Sequence, residues 1–342
     1  MRVASACAIL VAIVLAAYAT WAQTRAPVSA TSPASAPAAT TAPTPAAAPP
    51  SAATAAPAPV AAPAPTLAAG SPPAAASAPA CAGIPNALGL ARVVEIDTAS
   101  GPGFGWEHFK MHDFLRNGEV VLTFDDGPWP GTTPAVLKAL ADHCIRATFF
   151  PIGTHATYHP DILKQVAAAG HSIGNHTWGH KDLSKKPYDN LDLAKEEIEK
   201  GISAVRMVLG VPGAPFFRFP ALKHPPELVS YLGQRNIGIF STDFDSFDFT
   251  MRRSGQVIKS VMTKLQKHGK GIVLMHDFQQ PTADALPELL RELKANGYKI
   301  VHMKPKDSVR TLAQYDELVA KEIKLPTVSD RPTSSVVRTI SE

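Results

Sequence analysis

The chain has 342 residues, with 33 Lys and Arg against 29 Asp and Glu and a formal net charge of +4 at pH 7. That near balance, and the lack of any basic stripe interleaved with aromatics, excludes a nucleic-acid partner as the expectation. Three cysteines are too few for a disulfide scaffold, and many of the 32 prolines fall in an alanine-rich stretch near the start that no packed core would use.

Met1-Arg2 is a short basic start, and residues 3–22 are almost wholly apolar, ending in the small-residue sites Ala17-Tyr18-Ala19 and Thr20-Trp21-Ala22. This predicts a secretory signal peptide over 1–22, hence export to the periplasm or the medium. Left uncut, the same run of roughly 20 apolar residues would serve as a membrane anchor. Residues 23–80 are Ala, Pro, Ser and Thr with little else, and Arg25 is the only charge between Val3 and Ala91. Such a segment buries too little apolar surface to offset its ordering entropy, so a disordered, semi-stiff spacer is expected, long enough to permit contact with the cell envelope. No obligate protein partner is expected. The folded domain is expected over 81–325, with a disordered tail over 326–342. Cys81 and Cys144 remain after signal removal and are free to pair in an oxidising compartment.

Residues 92–96 read as an added strand, and Gly101-Pro102-Gly103-Phe104-Gly105 as a loop, since no strand leads into it as a nucleotide site requires. From Val120 the pattern alternates. Strands are predicted over 120–124, 147–152, 171–175, 216–219, 237–242, 271–276 and 299–303. Helices are predicted over 133–142, 160–169, 190–209, 225–234, 256–267, 283–295 and 309–320, with Pro134 and Pro225 in first turns. Glu196, Glu197 and Lys200 are assigned to a solvated face of the long third helix, 190–209. About seven βα units with near-continuous apolar strands mean an α/β fold, a parallel barrel or a doubly wound sheet. Polar residues follow the strands, at the carboxyl ends where such folds place their sites.

The strand 120–124 runs into Asp125-Asp126-Gly127-Pro128 and so delivers two adjacent carboxylates to the rim of a sheet. Two desolvated negative charges need a positive partner, most simply a metal ion; the plain alternative is a cap for the next helix. His176 and His180, four apart, read as one face of a helical turn, near enough to share a cation. Thr177 stands where a His-Glu-x-x-His protease would have its glutamate. Two chance surface histidines, among twelve in the chain, are the plain alternative. With Asp126 they make two imidazoles and a carboxylate, a common open metal site. Arg218, at a strand end, suits the task of orienting an acid such as Asp125 and keeping it ionised. The acids of 241–249 follow a strand and are placed to orient a histidine. His276, also at a strand end, suits a general acid near neutral pH.

Taken in this order, the pieces resemble the polysaccharide deacetylase family, the carbohydrate esterases that share the NodB homology domain. Thr123-Phe124-Asp125-Asp126-Gly127 matches the family's first motif residue for residue, Asn175-His176-Thr177-Trp178-Gly179-His180 its His-x-x-x-His motif, and Leu274-Met275-His276 its Leu-x-His motif. The resemblance spans 119–303. It implies a distorted (β/α)7 barrel and a metal-dependent hydrolase that removes N-acetyl groups from N-acetylglucosamine-containing glycans such as peptidoglycan, chitooligosaccharide or an exported polysaccharide. The alternative it leaves open is a carbohydrate O-acetyl esterase of the acetylxylan type. By resemblance, Asp126, His176 and His180 hold one divalent ion, Zn or Co, and Asp125 is the base, held by Arg218. His276, oriented by Asp248, is the acid, the backbone N–H of Ala221 serves the oxyanion, and Pro128 and Leu274 lie beside the substrate.

Two motifs depart from the family. Arg218-Phe219-Pro220-Ala221 stands where Arg-Pro-Pro-Tyr is usual, which removes a ring from the sugar site. Asp248-Phe249 replaces Asp-Trp, which loses an indole N–H. Three rivals differ in class. Gly170-His171-Ser172-Ile173-Gly174 fits the Gly-x-Ser-x-Gly of a serine hydrolase, but there a strand precedes the serine and a helix follows, the reverse of the order read here. Two histidines and a carboxylate also suit a non-haem iron oxygenase, which needs neither Asp125 nor His276. A sugar-binding protein on a retired scaffold would not need the full acid–base set.

Overall fold

The computed structural model describes residue 84 and residues 87–323. The expected signal peptide, spacer, Cys81 and tail lie outside the described residues; Cys144 is disulfide-bonded.

The fold grows around β3 (Glu119–Asp125), all seven residues of which are buried. Alternation along this strand sorts its side chains. Val120, Leu122 and Phe124 pack outward against Val136, Leu140, Leu286 and Leu290, which come from α1 (Thr132–Asp142) and α7 (Gln280–Ala295). Val121 packs inward with Phe150, Phe216, Phe240 and Ile272. Each fully buried side chain of this kind stabilises the fold by about 1.5–3 kcal/mol before entropy is counted. The same alternation sends Thr123 and Asp125 inward with Val121.

One edge of β3 pairs along Val120–Asp125 with β9 (Gly271–His276), which sets Asp125 directly opposite His276. The other edge pairs at its carboxyl end with β4 (Thr148–Phe150) and at its start with β10 (Lys299–Pro305), which carries β1 (Leu90–Ile96) beyond it. From β4 the parallel order continues to β5 (Ser172–Ile173) and, through a bridge between Asn175 and Phe217, to β6 (Phe216–Phe217) and β7 (Gly238–Phe240). β8 (Phe244–Asp245) pairs with β9. Seven parallel strands therefore follow one another round from β3 to β9 and back, with no ladder between β7 and β8 among the described residues. This is an open, distorted (β/α)7 barrel. The remaining helices are α2 (Gly153–Tyr158), α3 (Pro160–Ala168), α4 (Leu191–Leu209), α5 (Pro226–Gln234), α6 (Ser254–His268) and α8 (Ala313–Glu322).

Three expectations are corrected here. The Gly-Pro-Gly-Phe-Gly segment is not a plain loop, because β2 (Gly103–Phe104) pairs with β7. Glu197 and Lys200 are not solvated. The Lys200 ammonium meets Glu322 of α8 at 2.5 Å and lies over the Trp178 ring, while the Glu197 carboxylate accepts the Gly179 N–H at 2.8 Å. Distant segments thus cover a face whose charge pattern reads as wet. Finally, α8 begins at Ala313 rather than 309, since Val309 is buried and its N–H is bound to the Gly213 carbonyl. α4 itself is capped as its sequence implies: the Asn190 side chain accepts from the N–H groups of Asp192 and Leu193, and Gly210 ends the helix at φ 74.

Candidate metal centre and active site

Strand alternation would place Asp125 and Asp126 on opposite faces. Asp126 escapes because its backbone takes φ 71, in the left-handed region, so both carboxylates reach the same cavity. Gly127 follows in a spot where a Cβ would lie 2.1 Å from the Asp277 carboxylate. His176 and His180, expected on one face of a helical turn, do not share one. The segment is irregular, with Thr177 at φ 64 and His180 at φ 55, and it is this backbone that brings the two rings to 4.9 Å. The Nδ1 of His176 faces the Arg218 carbonyl at 2.7 Å, which turns Nε2 toward the acids.

His176 Nε2 and His180 Nε2 lie 3.4 and 3.3 Å from Asp126 Oδ1. These distances are long for charge-assisted hydrogen bonds, near 2.7–2.9 Å. They equal the roughly 3.3 Å that separates tetrahedral ligands bound at about 2.0–2.1 Å. Asp126 Oδ1 is buried without a hydrogen-bond partner. All three ligand atoms fall within 4.8 Å of one another. An orphaned carboxylate oxygen facing two imidazole nitrogens fits a divalent ion. Burial would raise the Asp126 carboxyl, but His176, His276 and His180 outweigh it and hold the group well below the usual carboxylate range.

Arg218 is fully buried, and every arm of its guanidinium is used. Nη1 donates to Asp125 Oδ1 at 2.7 Å and Thr123 Oγ1 at 2.8 Å, Nε to the Phe240 carbonyl and Nη2 to the Ser241 carbonyl. The Phe150 ring lies against it, with Cζ 4.4 Å from the ring centroid. A charge so buried is tolerable only with its counter-ion, so Arg218 and Asp125 fix each other. Across the cavity His276 Nδ1 is 2.7 Å from Asp248 Oδ1, and Nε2 is 3.8 Å from Asp126 Oδ2. Asp248 is fully buried and accepts further bonds from the His276 N–H and the Thr282 hydroxyl. Burial alone would lower His276, but the Asp248 bond and charge lift it to about 9.

A cavity of about 550 Å³ is lined by Asp125, Asp126, His176, His180 and His276, with Ala221 and Leu274 among its walls. Ala221 (φ 52) and Leu222 (φ 52) hold a left-handed turn at its edge. Pro128, expected beside the substrate, is buried instead among Phe149, Pro151, Leu163 and Val166, because the chain dives under the rim after Asp126. Sequence reasoning missed Glu107, His108, Lys223 and Phe247 on the cavity wall, and Thr282 behind Asp248. Glu107, His108, Lys223 and Thr282 belong to no motif, and Phe247 stands inside the 241–249 stretch, where only its acids and Phe249 drew notice.

The sequence profile of the family described as polysaccharide deacetylase matches residues 115–237. Over 175 residues the chain is 33% identical to a chitooligosaccharide deacetylase of Azorhizobium caulinodans, covering 50% of this chain and 79% of that one. The protein belongs to the polysaccharide deacetylase family. It is likewise 33% identical over 188 residues to the peptidoglycan-N-acetylglucosamine deacetylase PgdA of Listeria monocytogenes, covering 54% of this chain but only 38% of the relative's length. Among solved structures, a peptidoglycan deacetylase of Bdellovibrio bacteriovorus matches with a TM-score of 0.58 and 32% identity, over 65% of this chain and 61% of that one. The family's barrel accounts for the ring of strands β3 to β9.

Proposed function

We propose that the protein is a metal-dependent N-deacetylase of N-acetylglucosamine-containing glycans, acting as an exported enzyme. The observation that carries this reading is the placement of two differently paired groups, a carboxylate held by a guanidinium and an imidazole held by a carboxylate, on either side of one donor cluster. Asp125 Oδ1 is ion-paired with Arg218 at 2.7 Å, and His276 Nδ1 meets Asp248 at 2.7 Å, which raises the imidazole. Asp126, His176 and His180 would hold the ion, and their donor types suit Zn or Co. When bound, such an ion supplies Lewis acidity toward an acyl oxygen and toward water.

The chain's own groups then divide the proton traffic. Asp125 takes the proton of the attacking water on Oδ2, because Oδ1 is committed to Arg218. His276 gives a proton from Nε2 to the departing amine, because Nδ1 is committed to Asp248. The turn at Ala221 offers a backbone N–H to the developing oxyanion. A new C–O bond forms, the C–N bond breaks, and acetate and a free amine leave. The named relatives, deacetylases of peptidoglycan and chitooligosaccharide, support the substrate class.

The test is acetate release from N-acetylglucosamine oligomers by the full chain, as prepared, after chelation, and after Zn or Co is restored. Release that chelation stops and metal restores is the expected result. Release only from O-acetylated glycans would replace the amide reading with an ester one.

A further inference from the structure

The segment before β3 carries no family motif, yet it forms part of the cavity. β2 pairs with β7 through Phe104, which stacks on Phe240 at 4.8 Å. The next residues bind across to the stretch after β7. The Ser241 N–H donates to the Phe104 carbonyl, the Trp106 N–H to Asp243 Oδ1, and the Glu107 N–H to the Thr242 carbonyl. Gly105 takes φ 102, and a Cβ there would fall 2.5 Å from the Thr242 nitrogen, so only glycine permits this approach. Residues 103–109 thus form a strap laid on the place where the ring of ladders is interrupted, between β7 and β8.

The strap presents two polar side chains to the cavity, Glu107 and His108. His108 is fixed on its inner edge: Nδ1 is 2.7 Å from Ser241 Oγ, and its ring sits 4.6 Å from that of His224. The same Ser241 accepts from Arg218 through its carbonyl. One residue therefore ties the strap's histidine to the guanidinium that holds Asp125. Farther along the wall Phe247 is 49% exposed, and the Lys264 ammonium sits 4.4 Å from its ring centroid. A pyranose has an apolar C–H face and a hydroxyl edge. An exposed aromatic ring on the same cavity wall as a carboxylate and a held imidazole offers both.

Resting on the deacetylase reading, we infer that the strap reads the sugar: Glu107 and His108 hydrogen-bond the hydroxyls of an N-acetylhexosamine ring laid against Phe247. These are specificity residues and take no part in the proton transfers. The test compares the full-length His108→Ala and Glu107→Gln variants with the parent on N-acetylglucosamine oligomers and on an aryl acetate, which has no sugar. For each variant the expected result is a KM for the oligomers raised about ten-fold while kcat stays within two-fold, so that the ratio of glycan to aryl-acetate kcat/KM falls about ten-fold. His108→Gln, which keeps a donor, should recover part of the loss. Unchanged oligomer KM in both variants would overturn the inference. So would an equal fall of kcat on both substrates together with a lowered Tm, since that marks a strap that merely supports the fold. A parent that cleaves the aryl acetate but releases no acetate from any glycan would instead sink the deacetylase reading itself.

Discussion

The two ends of β5 carry the same residue type to opposite fates. His171 stands at its entry, beside Ser172 and within reach of His302 on β10; His176 stands just past its exit, beside Asp125 and Asp126. At the entry the neighbouring charges are cationic. Burial, each other's proximity and Arg146 push His171 down to about 3, and burial with Arg146 and Lys304 pushes His302 down to about 4. At the exit burial also works against the charged form, but two carboxylates win and His176 is raised. Five positions apart, one histidine is neutral core and the other faces the candidate cation site. Local sequence does not distinguish them; the sign of the charge packed alongside does.

The contrast can be broken most severely at the exit. His176→Ala should reduce both bound metal, by elemental analysis, and acetate release to background, whereas His171→Asn should keep its metal. Metal retained by His176→Ala would remove that ring from the donor set. Next in size, Asp125→Asn should lower kcat by about 10³-fold with metal stoichiometry intact, since the role proposed for Asp125 is base and not ligand. Equal loss of metal and turnover would show that base and ligand have been exchanged.

The entry is sharpened by pH. Both histidines have folded values below their ordinary 6.5, so the unfolded chain binds more protons between those limits. Stability should be fully present above pH 6.5 and be lost as pH falls, by up to about 1.4 kcal/mol per pH unit for each group. His302→Gln should flatten that slope in denaturant titrations run from pH 7 to pH 4; an unaltered slope would mean that His302 is already charged in the folded protein. The smallest expected effect is that of Ser172→Ala. Ser172 is buried, and its hydroxyl donates to the Met303 carbonyl at 2.5 Å. Its loss should cost about 1 kcal/mol and leave acetate release within two-fold. Abolished activity would revive the serine-hydrolase reading of Gly-x-Ser-x-Gly, which the structure puts at the entry of a strand, away from the cavity lining.

Legibility followed locality. β9 was readable to the residue, as an apolar run that stops at a polar one. α2 was not, because Gly153-Thr154-His155-Ala156-Thr157-Tyr158 has weak helix propensity. It is held from outside, by the Thr177 and Trp178 carbonyls that accept from its first two N–H groups. That Asp125, Asp126, His176, His180 and His276 gather around one cavity was legible because each belongs to a motif at or beyond the end of a strand. Glu107 and His108 were not, because a strap has no period and its residues matter only through what they lie against.

The order of strands and helices, and the residues that each strand delivers to the rim, follow from hydrophobic periodicity and turn chemistry, which act over a few neighbouring residues. Tertiary packing decided the rest. The left-handed backbone at Asp126 aims two adjacent acids into one cavity. Irregular backbone, not a helix, brings His176 to His180. The covering of Glu197 and Lys200, and the strap across β7 and β8, depend on segments far away in the chain. Burial and the net charge around a group are sums over everything that packs against it, and no local stretch of sequence contains that sum.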